Sequence, residues 1–256
     1  MRGFWSVYRK ELYVLFASPV FYVVAFTFLM LAGYFFYSAM AYYNLLSFQA
    51  SQNPGMLREL NLAEVVMRPF FLDLSIVMLL LSPLLTMRLY AEERKSGTME
   101  LLFTYPVSDR STLLAKYLAV LTAFFVILAG TLPGLLLTGS ISNPSWKPIM
   151  GGYLGIFLLS SALMSLGIFT SSLTQNQIIA AVLSFGALLM FWVIGWMQSF
   201  VGPSTAELIR YLSLTSHIDS FAKGVLDSRD LLYYVFFTVF FLFLTLRQIE
   251  SCRWRG

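Results

Sequence analysis

The sequence predicts an all-α integral membrane protein with six transmembrane helices, and three observations carry that prediction. Of its 256 residues, 58% are hydrophobic and only 12% are charged, too little charge for a soluble domain of this size. The apolar residues gather into six runs, most of them near the ~20 residues that cross a bilayer as a helix. Polar stretches with Gly, Pro, Ser and Asn separate the runs. Residues 1–256 therefore read as one transmembrane domain.

Phe4, Trp5, Tyr8, Leu12, Leu15 and Phe16 recur at helical spacing, while Ser6, Arg9 and Lys10 face away. That pattern describes an amphipathic interfacial helix over 1–17, its aromatics at headgroup depth. Ser18-Pro19 turns the chain, and Val20 to about Ala41 forms the first span. A signal peptide cut after Ala39-Met40-Ala41 is the rival, but the run is too long and too far from the N-terminus. Residues 42–68 read as an external loop with a short helix from Pro54 to Met67. Pro69 opens the second span, which ends near Leu89. Asp73 lies near its outer end. It reads as an interfacial carboxylate beside Arg68, with a place on a translocation path as the functional alternative.

The stretch 91–107 organises the rest. Glu92, Glu93, Arg94 and Lys95 would each cost ~2.5–3.5 kcal/mol at bilayer depth, so they mark an exit from hydrocarbon. Gly97 ends the helix, and Thr98 is placed to cap a new one. Glu100 then falls in its first turn, where the helix dipole favours an anion, and Pro106 closes the piece. Met99, Leu102, Phe103 and Pro106 share one side, Glu100 and Thr104 another. The residues alone allow a flat amphipathic helix or a plain solvated loop.

Ser108 or Asp109 caps a third span, about Thr112 to Leu137, which Gly130, Pro133 and Gly134 loosen in its outer half. After a short external turn over Ile141 to Pro148, the fourth span runs from about Met150 to Ser172. It is rich in small residues, which let helices approach closely in lipid, and so belongs in the bundle interior. Ser171 to Gln177 makes a tight polar turn before the fifth span, about Ile178 to Met197. Residues 199–230 read as a helical hairpin on, or dipping into, the outer leaflet. Its first helix opens on the capping box Ser204-Thr205-Ala206-Glu207. Its second starts near Ser216-His217, with Ile218, Phe221, Ala222 and Val225 on one face. His217, the single histidine, reads as a capping or hydrogen-bonded residue. The sixth span, Leu231 to Leu246, is short and is completed by snorkelling Tyr and Arg.

The segment Glu92-Glu93-Arg94-Lys95-Ser96-Gly97-Thr98-Met99-Glu100-Leu101-Leu102, followed by Tyr105-Pro106-Val107-Ser108, resembles the coupling-helix signature of ABC-2-type permeases. These are the membrane subunits of ATP-driven exporters. Ser216 to Asp230 and Ser172 to Gln177 resemble permeases of gliding-motility and nitrous-oxide-reductase-maturation systems. The resemblance implies a coupling helix that docks on a separate ABC ATPase, which would bind the ATP and Mg, and a second permease chain, identical or similar. It leaves room for an auxiliary membrane or periplasmic protein. It assigns ATPase coupling to Glu92, Glu93, Arg94, Lys95, Gly97, Thr98, Glu100, Leu101 and Leu102, with Glu11, Thr174, Gln175 and Asn176 as supporting cytoplasmic contacts.

Basic residues choose the orientation. They crowd at both termini and around 88–95 and 110–116, and are sparser in the intervening loops. The positive-inside rule then puts both termini and the 91–107 segment in the cytoplasm, in the inner membrane. The net charge of +4 does not argue for nucleic acid, since the basic residues flank apolar runs. Enzyme chemistry finds little support. No P-loop sequence occurs, and one His and one Cys do not suffice for paired-ligand zinc sites. No cofactor is expected in this chain. A secondary transporter or a membrane scaffold is the alternative. The first would need mid-membrane ionisable groups or repeated broken helices, and the second leaves the amphipathic insert unexplained.

Overall fold

The computed structural model describes residues 2–52, 61–99, 107–141, 146–197, 202, 211 and 213–255, and among them every regular element is helical. In chain order these are α1 (Arg2–Ala17), α2 (Pro19–Gln52), α3 (Arg68–Thr86), α4 (Arg88–Lys95), α5 (Asp109–Ala129), α6 (Leu132–Ile141), α7 (Trp146–Leu173), α8 (Gln177–Met197), α9 (Ile218–Ala222) and α10 (Ser228–Arg255). A π-helical turn, Ala63–Met67, leads into α3. Among the described residues, six helical runs are long and apolar enough to cross a membrane, the number the sequence predicts.

The small-residue helix α7 is the buried centre, with Ile156, Leu159, Ala162, Leu163, Met164 and Ile168 almost wholly enclosed. Helices α3, α8, α9 and α10 pack around it. Its glycines set the spacing. A Cβ on Gly152 would stand 2.0 Å from the Phe71 ring, and one on Gly167 would stand 2.1 Å from Thr86 Oγ1. Glycine is what lets α3 lie this close to α7. Hydroxyls within α7 turn back on their own helix, as Ser165 donates to the Ala162 carbonyl at 2.7 Å and Thr170 to that of Gly167 at 2.9 Å. Helices α2, α8 and α10 are peripheral. Their outward side chains, including Phe26, Met30, Val182, Met190, Phe236 and Phe240, are exposed in the chain alone. Hydrocarbon is the solvent such a surface requires.

Several element bounds depart from expectation. Hydropathy puts the end of the first span near Ala41, yet α2 continues to Gln52. No glycine or proline falls between Gly33 and Pro54, so nothing in the backbone ends the helix at the membrane surface. At ~1.5 Å per residue, its 34 residues outreach the ~30 Å hydrocarbon core. The helix expected over Pro54 to Met67 is replaced, from Ala63 onward, by the π-helical turn that runs directly into α3; residues 53–60 lie outside the described set. The sixth span is longer than Leu231 to Leu246. Between Gly224 and Gly256 the chain has no glycine or proline, and the Arg247–Glu250 pair at 2.9 Å supports the extra turns. The loosened outer half of the third span is a true break, with Gly130 and Thr131 separating α5 from α6. Ser108 caps α5, accepting from the Ser111 N–H.

Of the expected 199–230 hairpin, the first helix falls outside the described residues. The second is α9, only five residues long. Ile218, Phe221 and Ala222 are buried as expected, but Val225 is exposed. Gly224 has φ +77°, and this left-handed turn ends the helix before Val225 can join its face. Asp73 does not pair with Arg68. The Arg68 guanidinium instead reaches Asp219 at 2.5 Å, tying α3 to α9, and Lys223 meets the other oxygen of the same carboxylate at 2.7 Å.

Candidate functional site

The region singled out in the sequence folds around α4. Helix α3 ends at Thr86, and the break at Met87 has an identifiable cause. Ser171 Oγ, from the end of α7, donates to the Met87 carbonyl at 2.7 Å and accepts from the Tyr90 and Ala91 N–H groups at 3.1 Å each. The hydroxyl thus sits between Ala91 N–H and Met87 C=O, the pair that would close the next i→i−4 bond. Such an insertion re-aims a helix without leaving its backbone unsatisfied.

One face of α4 is locked by a cluster of four charges. Lys116, in α5, is fully buried. Its ammonium is 2.9 Å from Glu11 Oε1, 2.9 Å from Glu93 Oε1 and 2.9 Å from the Leu89 carbonyl oxygen. It also stands 5.1 Å from the centre of the Tyr90 ring, within reach of a cation–π contact. Lys10 completes the ring of charges, 3.0 Å from Glu93 Oε1 and 3.4 Å from Glu11 Oε1. Partial burial acts to lower the Lys10 pKa, but the Glu11 and Glu93 carboxylates outweigh it and hold the group above its ordinary value. Two ammonium groups and two carboxylates cancel, which is how buried charges are tolerated. The cluster joins α1, α4 and α5.

The other face of α4 is held by Arg94, which donates to the Ser172 carbonyl at 2.5 Å and to Cys252 Sγ at 3.0 Å. Ser172 ends α7 and Cys252 lies in the last turns of α10. Helix α4 is therefore bonded to α1, α5, α7 and α10 within eight residues. Glu92 is half-exposed and pairs with Arg88 at 3.0 Å. Lys95 and Ser96 are exposed. Gly97 then turns the chain with φ +71° and open space about its Cα, an angle that L side chains rarely adopt.

Each residue singled out in the sequence thus has a place. Glu93 and Glu11 belong to the buried cluster, so both point into the chain rather than outward. Thr98 is exposed, its hydroxyl 2.9 Å from Ser96 Oγ and 3.4 Å from the Glu93 carbonyl, so it binds back to α4. Met99 is buried, as the expected apolar side requires. Glu100, Leu101 and Leu102 lie outside the described residues. Thr174 and Asn176 shape the α7–α8 turn: Thr174 Oγ1 accepts from the Asn176 N–H at 3.1 Å, and Asn176 Oδ1 from the Ile178 N–H at 2.9 Å. Gln175 is exposed between them.

Sequence reasoning passes over Lys10, Lys116, Ser171 and Cys252. Lys116 has a readable signal: it stands in the run Leu113-Leu114-Ala115-Lys116-Tyr117-Leu118, and an ionisable group in such a run asks for a named partner. Ser171 and Cys252 have none, because their roles depend on three helices ending together.

At the opposite end, His217 Nδ1 is 2.6 Å from Asp230 Oδ1 and its Nε2 is 3.2 Å from the Tyr211 carbonyl. Its ring stacks on Tyr233 with centroids 4.1 Å apart. The histidine is hydrogen-bonded, as expected, and ties α10 to the segment before α9.

A family model described as "ABC-2 family transporter protein" matches residues 5–247, nearly the whole chain. No curated protein matches the chain.

Proposed function

We propose a coupling route for this chain, which belongs to the ABC-2 transporter family and is a membrane permease of that class. It works as the exporter's transmembrane subunit with a separate ABC ATPase, which binds the ATP and Mg. A second permease chain completes the translocation path between them. The cytoplasmic face of the inner membrane carries both termini and the 91–107 segment, as the crowding of basic residues there supports. The exposed end of α4, with Glu92, Lys95, Ser96 and the Gly97 turn, together with Glu100, Leu101 and Leu102, meets the ATPase.

The observation that carries this reading is the bonding of α4. The helix beside the exposed turn is tied by charge to α1 and α5, and by Arg94 and Ser171 to α7 and α10. A push on the turn cannot be absorbed locally. It must move the helices as a body, as in rigid-body switching. Glu11 and Glu93 serve inside that linkage, and the 174–176 turn lies beside it.

The reading is tested by Lys95→Glu, which changes an exposed charge at the end of α4. The matched control is Arg229→Glu, exposed at the start of α10. Both variants should insert at wild-type abundance, and only Lys95→Glu should lower the amount of ATPase that co-purifies. Equal recovery of ATPase from both would remove α4 from the contact.

A further inference from the structure

Beside the charge cluster lies a cavity of about 210 Å³, walled by α1, α4, α5 and the Ser96 to Thr98 turn. Val14 and Leu15 supply its apolar side, and Lys10, Glu11, Glu93 and Lys116 its floor. Its hydrogen-bonding capacity is lopsided. The Lys116 ammonium has three N–H donors and three acceptors at 2.9 Å, namely Glu11 Oε1, Glu93 Oε1 and the Leu89 carbonyl. Lys10 is engaged with the same two carboxylate oxygens, and Arg88 with Glu92. The cations lining the cavity are thus satisfied.

The acceptors are not. Both Glu11 and Glu93 direct their ion pairs through Oε1. Glu93 is buried, and among the described residues its Oε2 has no hydrogen-bond partner. A buried carboxylate oxygen without a donor is costly. The missing complement is a donor group that accepts nothing, and among side chains that means guanidinium or ammonium. The planar fork of arginine suits a carboxylate better than a lysine ammonium does. An anionic occupant would meet an unpaired carboxylate oxygen instead.

We infer that this cavity is a socket for one arginine side chain of the ATPase, inserted past the Ser96 to Thr98 turn onto Glu93 Oε2. The inference rests on the coupling reading above and deepens it, since the cavity lies beside the exposed end of α4. It also gives the contact a key: the partner's cation would sit on the carboxylate that already binds α4 to α1 and α5.

The probe is the ATPase that co-purifies with the wild-type chain. Val14→Trp fills the socket without altering charge, and should weaken ATPase binding at least tenfold while the purified permease remains a single species. A second arm leaves the permease unchanged and replaces each surface arginine of the ATPase with methionine in turn. One replacement should give a similar loss, and that loss should disappear when the permease carries Val14→Trp. If no arginine behaves so, or if the coupled residue is acidic or apolar, the socket assignment is wrong. Should Lys95→Glu lower recovery while neither arm does, the coupling reading stands and the socket falls. If the wild-type chain recovers no ATPase, both fall together.

Discussion

The ammonium of Lys116 lies 2.9 Å from Glu93 Oε1 on α4 and, at the same distance, from Glu11 Oε1 on α1. One buried cation therefore couples three helices. Lys116→Met should leave Glu11 and Glu93 with Lys10 alone, at a loss of roughly 3–5 kcal/mol. Thermal unfolding of the purified permease measures this. Adding Glu93→Gln should restore part of the loss, because it removes a charge the first change stranded. Additive losses in the double variant would show that the two residues act independently.

The Arg68–Asp219 pair predicts a pH dependence at the other end of the molecule. Partial burial acts to raise the Asp219 pKa, but hydrogen bonds from Arg68 and Lys223 outweigh it and hold the carboxyl below its ordinary value. A depressed folded-state pKa gives stability that is present above the unfolded value, ~3.9, and lost as pH falls through the folded one. Wild type should exceed Asp219→Asn in stability by a constant margin above about pH 4. The margin should be under about 1 kcal/mol, since the pair is partly exposed. Below that pH the two curves should converge. A margin that widened in acid would contradict the assignment.

Topology is tested with cysteines in a Cys252→Ser background. Ser51, at the end of α2, and Ser96, after α4, are both exposed. Ser51→Cys should react with an impermeant thiol reagent on intact cells, and Ser96→Cys only after the membrane is opened. Labelling of Ser96→Cys on intact cells would place α4 on the wrong side for an ATPase.

Much of this architecture is legible in the sequence because a bilayer leaves few solutions. The apolar runs point to the six spans, Gly97 to the turn after α4, and the small residues of the fourth span to its central position. Helix ends beyond the membrane surface are not legible. Hydropathy changes at the headgroups, whereas α2 and α10 continue until the backbone meets Pro54 or the chain end. The 91–99 segment reads as a charged exit from the membrane, and Lys95 and Ser96 are exposed as that requires. The inward turn of Glu93 is hidden, because its partners Lys10 and Lys116 are 83 and 23 positions away. Arg94 likewise has the look of a surface charge until the fold brings Ser172 and Cys252 beneath it.

The central claim is that the turn after α4 delivers ATPase motion to the spans, and Gly97→Val tests it most directly. Gly97 has φ +71°, and a Cβ at that position would meet nothing within 4 Å, so the substitution acts through backbone angle alone. Gly33→Val is the control, since that glycine also has open space but lies in the ordinary helical interior of α2. Transport and permease-stimulated ATP hydrolysis are measured for both, at matched permease abundance. The account predicts that Gly33→Val keeps both activities near wild type, while Gly97→Val loses transport at least tenfold with its hydrolysis uncoupled or abolished. Wild-type transport with wild-type stimulation in Gly97→Val would contradict it.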